Sequence, residues 1–188
     1  MSDFIEVRDN FREANRSLRQ MDKAVRQAVL SALNRATQRS KTETGRKVRE
    51  KYVVKQKEVL ETISIRKAQG NMLQATLTSK GRNIPLVRFS VAPKRRLKRA
   101  PASIKAAVYR TGTKKPIPRA FIATVGAHTG VFERVGRKRL PMRELYGPAV
   151  PSMVGNEEVR EHVQEVFADE MIKRLPHELN RTLGRLRT

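Results

Sequence analysis

The 188-residue sequence contains no cysteine, no tryptophan and no long apolar segment. The lack of cysteine excludes disulfides, thiol catalysis and cysteine-ligated zinc or iron–sulfur centres. No apolar run approaches the roughly 18 residues that span a bilayer, so we expect no membrane partner. The charged N-terminus, MSDFIEVRDNFREAN, lacks the apolar core of a signal peptide. These absences are typical of a protein that assembles in a reducing cytoplasm.

Acidic residues are absent from the middle of the chain. Between Glu61 and Glu133 there is no Asp or Glu, although the same 71 residues contain 15 Lys and Arg. The whole chain has a formal net charge of +23. A field of one sign admits three classes of anionic partner, namely nucleic acid, an anionic membrane surface or an acidic protein surface. A solvated basic surface without a specific partner is the alternative interpretation.

Aromatic residues are also few, with six Phe and three Tyr in a chain that is 38% hydrophobic. We therefore expect a thin, aliphatic core. Because like charges repel one another in a compact state, a thin core and a large net charge together weaken an isolated monomer. Burial against further copies of the chain, or against a partner, would relieve this weakness, so we expect a homo-oligomer or a bound partner.

The hydrophobic spacing predicts a single α+β domain over residues 1–188. Apolar residues recur every three or four positions between Leu18 and Ala36, which predicts a long N-terminal helix from about 8 to 44. A short helix is predicted over Lys55 to Glu61, so that residues 8–61 form a helical N-terminal part. The long helix would measure about 50 Å, and it should project, bend or pack on a neighbour.

A spacing of two then predicts a basic antiparallel β-meander of about four to six strands in residues 62–135. The predicted strands cover residues 63–68, 73–78, 85–92, 104–108, 121–125 and 131–135. The segment Lys94 to Arg99, with the sequence KRRLKR, lies between the third and fourth of these strands. We call it the basic loop. Residues 111–116 are predicted to form a turn.

The C-terminal third is predicted to contain an arm and a helix. Residues 136–155 are rich in Pro and Gly, which predicts an extended arm without regular elements. Residues 156–188 are predicted to form a C-terminal helix and tail. The helix should begin after Asn156, and Pro176 should break or kink it near Leu175.

The sequence contains no pattern of residues that is typical of a catalytic site. The histidines, His128, His162 and His177, do not share metal-ligand spacing, and the central region has no carboxylates. Metal-dependent phosphodiester cleavage needs clustered acids, whereas Glu133 and Glu144 flank basic residues and more simply form salt bridges. We therefore predict no enzyme, no catalytic residue, no metal and no cofactor.

The basic residues are candidates for contact with DNA or with a DNA channel. The basic loop is either a phosphate-contacting finger or a solvated hairpin that protects strand edges. It contains no aromatic residue for base stacking, so any nucleic-acid contact should be independent of sequence. The candidate DNA-contacting residues are Lys94, Arg95, Arg96, Lys98, Arg99, Lys114 and Lys115.

The predicted arm carries apolar residues that a free loop would not favour. They either dock on an adjacent subunit or cover the sheet of their own chain, and exposed apolar patches favour docking. The candidate interface residues are Leu140, Pro141, Met142, Leu145, Tyr146 and Pro148.

The segment 136–153, GRKRLPMRELYGPAVPSM, resembles the hallmark of the minor tail protein Z family of tailed phages and prophages. The order of the other parts is similar too, with ALNRAT at 32–37, VKQKEV at 54–59 and IPL at 84–86. The resemblance covers most of the chain. It implies a structural protein of the virion, and it provides no catalytic residue.

The resemblance further implies a position in the neck, at the head-proximal end of the tail, where the protein completes the tail and joins it to the head. It implies a homo-oligomeric protein that forms or joins a ring of six-fold or twelve-fold symmetry around the DNA passage, with other neck and tail proteins as partners. Assembly would take place in the host cytoplasm. The alternative function is a nucleic-acid-binding module without sequence specificity that is not part of a virion.

Overall fold

The computed structural model describes residues 5–6, 23–95, 97 and 103–184, which fold into helices and small antiparallel sheets. The helices are α1 (Lys23–Lys51), α2 (Gln56–Glu61), α3 (Val150–Val154) and α4 (Glu157–Gly184), with a 3-10 turn at Leu86–Arg88. The strands are β1 (Ile5–Glu6), β2 (Ile63–Arg66), β3 (Thr76–Ser79), β4 (Asn83–Pro85), β5 (Ser90–Ala92), β6 (Ile104–Ala107), β7 (Lys115–Ile117), β8 (Ala120–Val125), β9 (His128–Arg134), β10 (Met142–Glu144) and β11 (Tyr146–Ala149). The predicted α+β class is confirmed.

The two long helices, α1 and α4, pack against each other as an antiparallel pair. Arg35 pairs with Glu178 at one end (3.1 Å), and Lys51 pairs with Glu158 at the other (2.6 Å). Phe167 of α4 packs against an apolar cluster that includes the buried Leu33 of α1. The long helix therefore finds its packing partner within its own chain.

The predicted boundaries of the first helix are only partly correct. Residues 8–22 lie outside the described residues, and from Lys23 onward the helix is confirmed but continues to Lys51. Gly45, directly after the predicted end of the helix at residue 44, is a buried residue inside α1. A Cβ at this position would lie 2.9 Å from Leu60 Cδ2, so the glycine permits close packing of α1 on α2. The short helix predicted over residues 55–61 is confirmed as α2.

Within the described residues, the strands form four small sheets rather than one meander, in the orders β1-β3-β2, β5-β6-β7, β10-β9-β8 and β11-β4. The predicted strand 85–92 is interrupted by the 3-10 turn, which buries Leu86 and Phe89 in the core. Residues 115–117, predicted to lie in or beside a turn, form β7 and pair with β6. The main core lies between the sheets and the helices, with Val48, Ile104, Val131 and Met153 almost fully buried.

The segment 136–155 differs from the prediction because it contains two strands and a helical turn. Strand β10 pairs with β9, and β11 pairs with β4. Leu145, between them, donates its N–H to the carbonyl of Val131 (2.8 Å) and accepts from the N–H of Leu86 (2.9 Å). The prediction that this segment lacks regular elements is therefore wrong, because the backbone finds partners at the edges of its own sheets.

The C-terminal helix does not end near Leu175. It continues through Pro176 to Gly184, and residues 185–188 lie outside the described residues. Proline removes one helical hydrogen bond, but the following turn is held against α1 by Glu178. The side chain of Glu178 is 1% exposed and pairs with Arg35 and Arg181. A buried anchor thus stabilises the helix beyond its proline.

Candidate interaction surface

A groove of about 650 Å³ opens between the β5-β6-β7 sheet and the β10-β9-β8 sheet. Ile104 and Ile122, both buried, form part of its floor. Arg95 and Leu97 of the basic loop lie along it, as do Leu140 and Met142 of the predicted arm. The fold therefore brings together two segments that the sequence singled out for separate reasons. We refer to this feature as the groove.

The charge of the groove has one sign. Arg95, Arg134 and Arg139 line it, and none of the described carboxylates does. The guanidinium of Arg134 lies 5.6 Å from the centre of the Phe121 ring, a distance suited to a cation–π contact. Within the described part of the chain, none of the three arginines forms an ion pair with a carboxylate. The groove is therefore a site of uncompensated positive charge.

The rim of the groove is apolar and open to solvent. Leu97, Val125 and Leu140 are 51%, 51% and 62% exposed. Exposed apolar side chains that lie together usually mark a contact with another molecule. The groove thus combines apolar surface with positive charge, and a ligand that fits it should present both apolar and acidic groups.

The predicted DNA-contacting residues are not all brought together. Lys94 and Arg95 are exposed, while Arg96, Lys98 and Arg99 lie outside the described residues. Lys94 follows β5 beyond the Ile104 end of β6, whereas Lys114 precedes β7 at the Ala107 end. Lys114 and Lys115 are exposed, but they lie at the opposite end of this small sheet from the basic loop.

The predicted interface residues divide into two groups. Leu140 and Met142 line the groove, and Pro141 between them is exposed. Leu145, in contrast, packs against the main core of its own chain, and Pro148 is half-buried. Leu145 therefore fits the alternative interpretation, in which the segment covers the sheet of its own chain.

Tyr146 belongs to a polar cluster between the arm and β9. Its hydroxyl donates to Glu144 Oε2 at 2.9 Å, and His128 Nε2 lies 2.7 Å from Glu144 Oε1. The hydrogen bond to Glu144 raises the pKa of Tyr146. These hydrogen bonds connect β11 and β10 to β9.

Metal sites and membrane spans are a separate question. In the described ranges, no group of three His, Cys, Asp or Glu could hold a metal ion, and no helix has the length and apolarity to cross a bilayer.

Arg134 and Arg139 were not among the residues selected from the sequence. Arg139 lies in the GRKR run of the segment that resembles the family. Arg134 follows Glu133 on β9, and the pattern of the strand alone did not show that it faces the basic loop. Both arginines reach the groove through the pairing of β9 with β10, which only the fold reveals.

Comparison with known proteins identifies the family. Residues 10–188 match the family described as Prophage minor tail protein Z (GPZ). A search of curated proteins and a search of solved structures each found no match. The matched family is one of structural phage tail proteins and is not a known enzyme family. Because the match covers nearly the whole chain, the protein belongs to the prophage minor tail protein Z family.

Proposed function

We propose that this protein is a ring-forming subunit of the phage neck, which completes the head-proximal end of the tail and joins it to the head. Membership in the family supports a structural role in the phage tail, a place in the virion and contact with other tail proteins. The ring, its position in the neck and the passage of DNA through it are the finer parts of this proposal. We assign the protein no reaction, metal or cofactor.

The observation that carries the proposal is the groove. It leaves three arginines without carboxylate partners among the described residues, beside apolar side chains that are more than half exposed. A monomer gains nothing from this arrangement, because like charges repel and apolar surface remains hydrated. An assembly in which the groove is filled removes both costs. The groove is thus the expected feature of a subunit that is completed by neighbouring molecules.

Contact with DNA would come from exposed basic residues outside the ion pairs of the fold. Lys94, Arg95, Lys114 and Lys115 are exposed and form no ion pair with any described residue. With Arg96, Lys98 and Arg99 they would face the DNA passage and contact phosphates. Because no aromatic residue accompanies the basic loop, this contact would be independent of sequence.

Contact between subunits would involve the exposed residues of the arm. Leu140, Pro141 and Tyr146 are exposed, and Met142 and Pro148 are half-buried. Leu145 would act indirectly, because it anchors the segment to the core. Six or twelve copies would close the ring.

The test is a phage in which this gene is deleted, compared with the same phage complemented by the wild-type gene. Electron microscopy of the lysate should show filled heads and tails that are not joined, and complementation should restore whole virions. A normal yield of joined virions from the deletion phage would overturn the proposed role in head–tail joining.

A second candidate function is a nucleic-acid-binding module outside the virion, which the four exposed lysines and arginines at 94, 95, 114 and 115 favour. Purified virions distinguish the two functions. Mass spectrometry of virion proteins should find this chain in several copies per particle if the neck proposal is correct. Its absence from purified virions, together with tight binding of an oligonucleotide by a monomer, would favour the second function.

A further inference from the structure

The outer face of α4 carries acidic side chains, whereas the groove is lined by arginines and no described carboxylate. Glu161, Glu165 and Asp169 follow one another at steps of four residues, so they lie on one face of the helix. Ile172, three residues further, lies on the same face and is 73% exposed, more than the other exposed large apolar side chains of the described chain. We call these four residues the α4 ridge.

The acids of the α4 ridge have no ion-pair partner in the described part of the chain. All three carboxylates are exposed. Three other acids of the same helix differ in this respect, since Glu158 pairs with Lys47 and Lys51, Glu170 pairs with Arg174, and Glu178 pairs with Arg35 and Arg181. In a chain with a net charge of +23, three successive acids without a cation form a second uncompensated surface, of the opposite sign to the groove.

The α4 ridge cannot reach the groove of its own chain. Ion pairs hold α4 on α1 at both ends, through Arg35 and Glu178 and through Lys51 and Glu158. Phe167 and Met171 pack inward on the cluster of Leu30 and Leu33. With its inner face fixed in this way, the helix presents the ridge outward.

We infer that the α4 ridge of one copy docks in the groove of the next copy. This inference rests on the proposed function, since it specifies the contact that would build the ring. Glu165 and Asp169 would meet Arg134 and Arg139, and Ile172 would meet the apolar rim at Leu97 and Leu140. An α-helix is about 10–12 Å across, so the groove receives one row of its side chains rather than the whole helix.

A second copy fits the groove better than a nucleic acid does. Phosphates would satisfy the arginines, but the backbone of a nucleic acid would leave the exposed Leu97, Val125 and Leu140 without apolar contact. The carboxylates of the α4 ridge would pair with the arginines of the groove, and its isoleucine would contact the apolar rim. Burying opposite charges together on the same contact also fixes its register.

The geometry of the contact follows from the two surfaces being different. A contact between unlike surfaces is heterologous, so each copy offers one ridge and one groove, and repetition closes a ring or extends a filament. A two-fold symmetric dimer would instead pair the same surface with itself. The groove and the ridge are therefore sufficient to generate the proposed ring from one kind of chain.

Two charge-reversal variants test the inference. The ridge variant is Glu165→Arg with Asp169→Arg, and the groove variant is Arg134→Glu with Arg139→Glu. Each variant alone should fail to form the oligomer of the wild-type protein in sedimentation velocity and native mass spectrometry, because like charges then face each other. Circular dichroism should show that both variants keep the wild-type helical content, since all four residues are exposed.

Mixing the two variants gives the decisive result. In an equimolar mixture the altered ridge meets the altered groove, and the native ridge of one variant meets the native groove of the other. Assembly should return, with the two variants in a 1:1 ratio and an even number of copies. Reversals outside both surfaces, at Glu50 and Glu61 or at Arg66 and Lys67, should leave assembly unchanged.

The outcomes separate the inference from the proposed function. An oligomer that forms in both variants, or variants that fail to rescue each other, would overturn the inference and leave the proposed ring standing. Loss of oligonucleotide binding by the groove variant without any change in its assembly would identify nucleic acid as the occupant instead. A wild-type chain that remains monomeric at every concentration would overturn both the inference and the ring. The role in head–tail joining is tested separately by the deletion phage.

Discussion

Gly147 lies directly against the aromatic ring of Phe89, and the lack of a side chain at this glycine is what permits the contact. A Cβ at Gly147 would lie 2.8 Å from Phe89 Cζ, well inside van der Waals distance. Phe89 is 4% exposed and belongs to the main core. The contact shows why the Pro- and Gly-rich segment does not stand free: part of it closes over the core of its own chain.

Replacing Gly147 by alanine should destabilise the fold. The added methyl group must displace the Phe89 ring, and overpacking of this kind costs about 1–3 kcal/mol. Urea denaturation followed by circular dichroism measures the change. Gly136→Ala is the matched control, since nothing lies within 4 Å of a Cβ at that position, and its effect should stay within about 0.5 kcal/mol. Equal effects of the two substitutions would contradict the close packing of Gly147 on Phe89.

Glu178→Ala should destabilise the pairing of α1 with α4. The Glu178 carboxylate is almost fully buried and pairs with Arg35 (3.1 Å) and Arg181 (2.6 Å). Removing one partner of a fully buried pair costs about 3–5 kcal/mol, but both arginines reach solvent, so we expect about 2 kcal/mol. The control is Glu61→Ala, whose exposed pair with Lys57 at 4.0 Å should be worth less than about 0.5 kcal/mol. A destabilisation by Glu178→Ala no larger than that of the control would show that this carboxylate is not an anchor.

Tyr52 should make the fold sensitive to alkaline pH. Burial of its ring, followed by the neighbouring Tyr109, raises the pKa of Tyr52 from 10.0 to about 12. Below pH 10 the group is neutral in both the folded and the unfolded chain, so its contribution to stability is intact. Between pH 10 and 12 the unfolded chain ionises while the folded chain does not, and stability falls.

Thermal denaturation of wild type and Tyr52→Phe between pH 9 and 11.5 measures this effect, with ultraviolet absorbance reporting phenolate formation. The Tm of the wild type should fall more steeply with pH than that of Tyr52→Phe. Tyr109→Phe should lower the pKa of Tyr52 only in part, because burial is the larger cause of the shift. Parallel Tm profiles for wild type and Tyr52→Phe would show that Tyr52 titrates normally.

The basic loop should control the salt dependence of DNA binding. Replacing Arg95, Arg96, Lys98 and Arg99 by serine removes up to four cations that could neutralise phosphates. On duplex DNA, the slope of log K against log salt should then become shallower by about 0.9 for each phosphate that is no longer neutralised. Fluorescence anisotropy with oligonucleotides of unrelated sequence measures the slope. An unchanged slope would indicate that the loop is a solvated hairpin, and Lys114→Ser with Lys115→Ser provides the comparison at the other end of the sheet.

Substitutions at exposed and at buried positions of the arm should affect assembly and stability separately. Leu140→Ser and Tyr146→Ser change exposed side chains, so they should reduce oligomer formation while leaving the Tm close to that of the wild type. Leu145→Ser should instead lower the Tm, since Leu145 packs against the main core. Sedimentation velocity and thermal denaturation of the three variants provide both readings. Normal assembly of the Leu140 and Tyr146 variants would show that the arm is not an interface.

The sequence predicts this fold best where one helix or strand carries its own signal. The spacing of apolar residues predicts α1, and alternation predicts β6 and β8. The predictions fail where distant contacts decide the conformation. The 3-10 turn at Leu86–Arg88 exists because Leu86 and Phe89 are drawn into the core, and α4 continues beyond Pro176 because Glu178 is held by Arg35 of another helix.

The candidate surface shows the same limit. The sequence identifies the basic loop and the arm as separate segments, and the absence of acids around the basic loop indicates a positive field. Their convergence on one groove depends on the pairing of Met142 with Arg134 between β10 and β9, which no local pattern encodes. The sequence shows the acids of the α4 ridge at steps of four residues. Only the fold shows that the opposite face of the helix packs on α1, so that the ridge faces outward.

The proposed ring can be seen in an electron cryomicroscopy map of the neck in intact virions. We expect several copies of this chain in a closed ring around the DNA, with Glu165 and Asp169 of each copy beside Arg134 and Arg139 of the next. A map that places the chain as a single copy, or outside the head-proximal end of the tail, would contradict it.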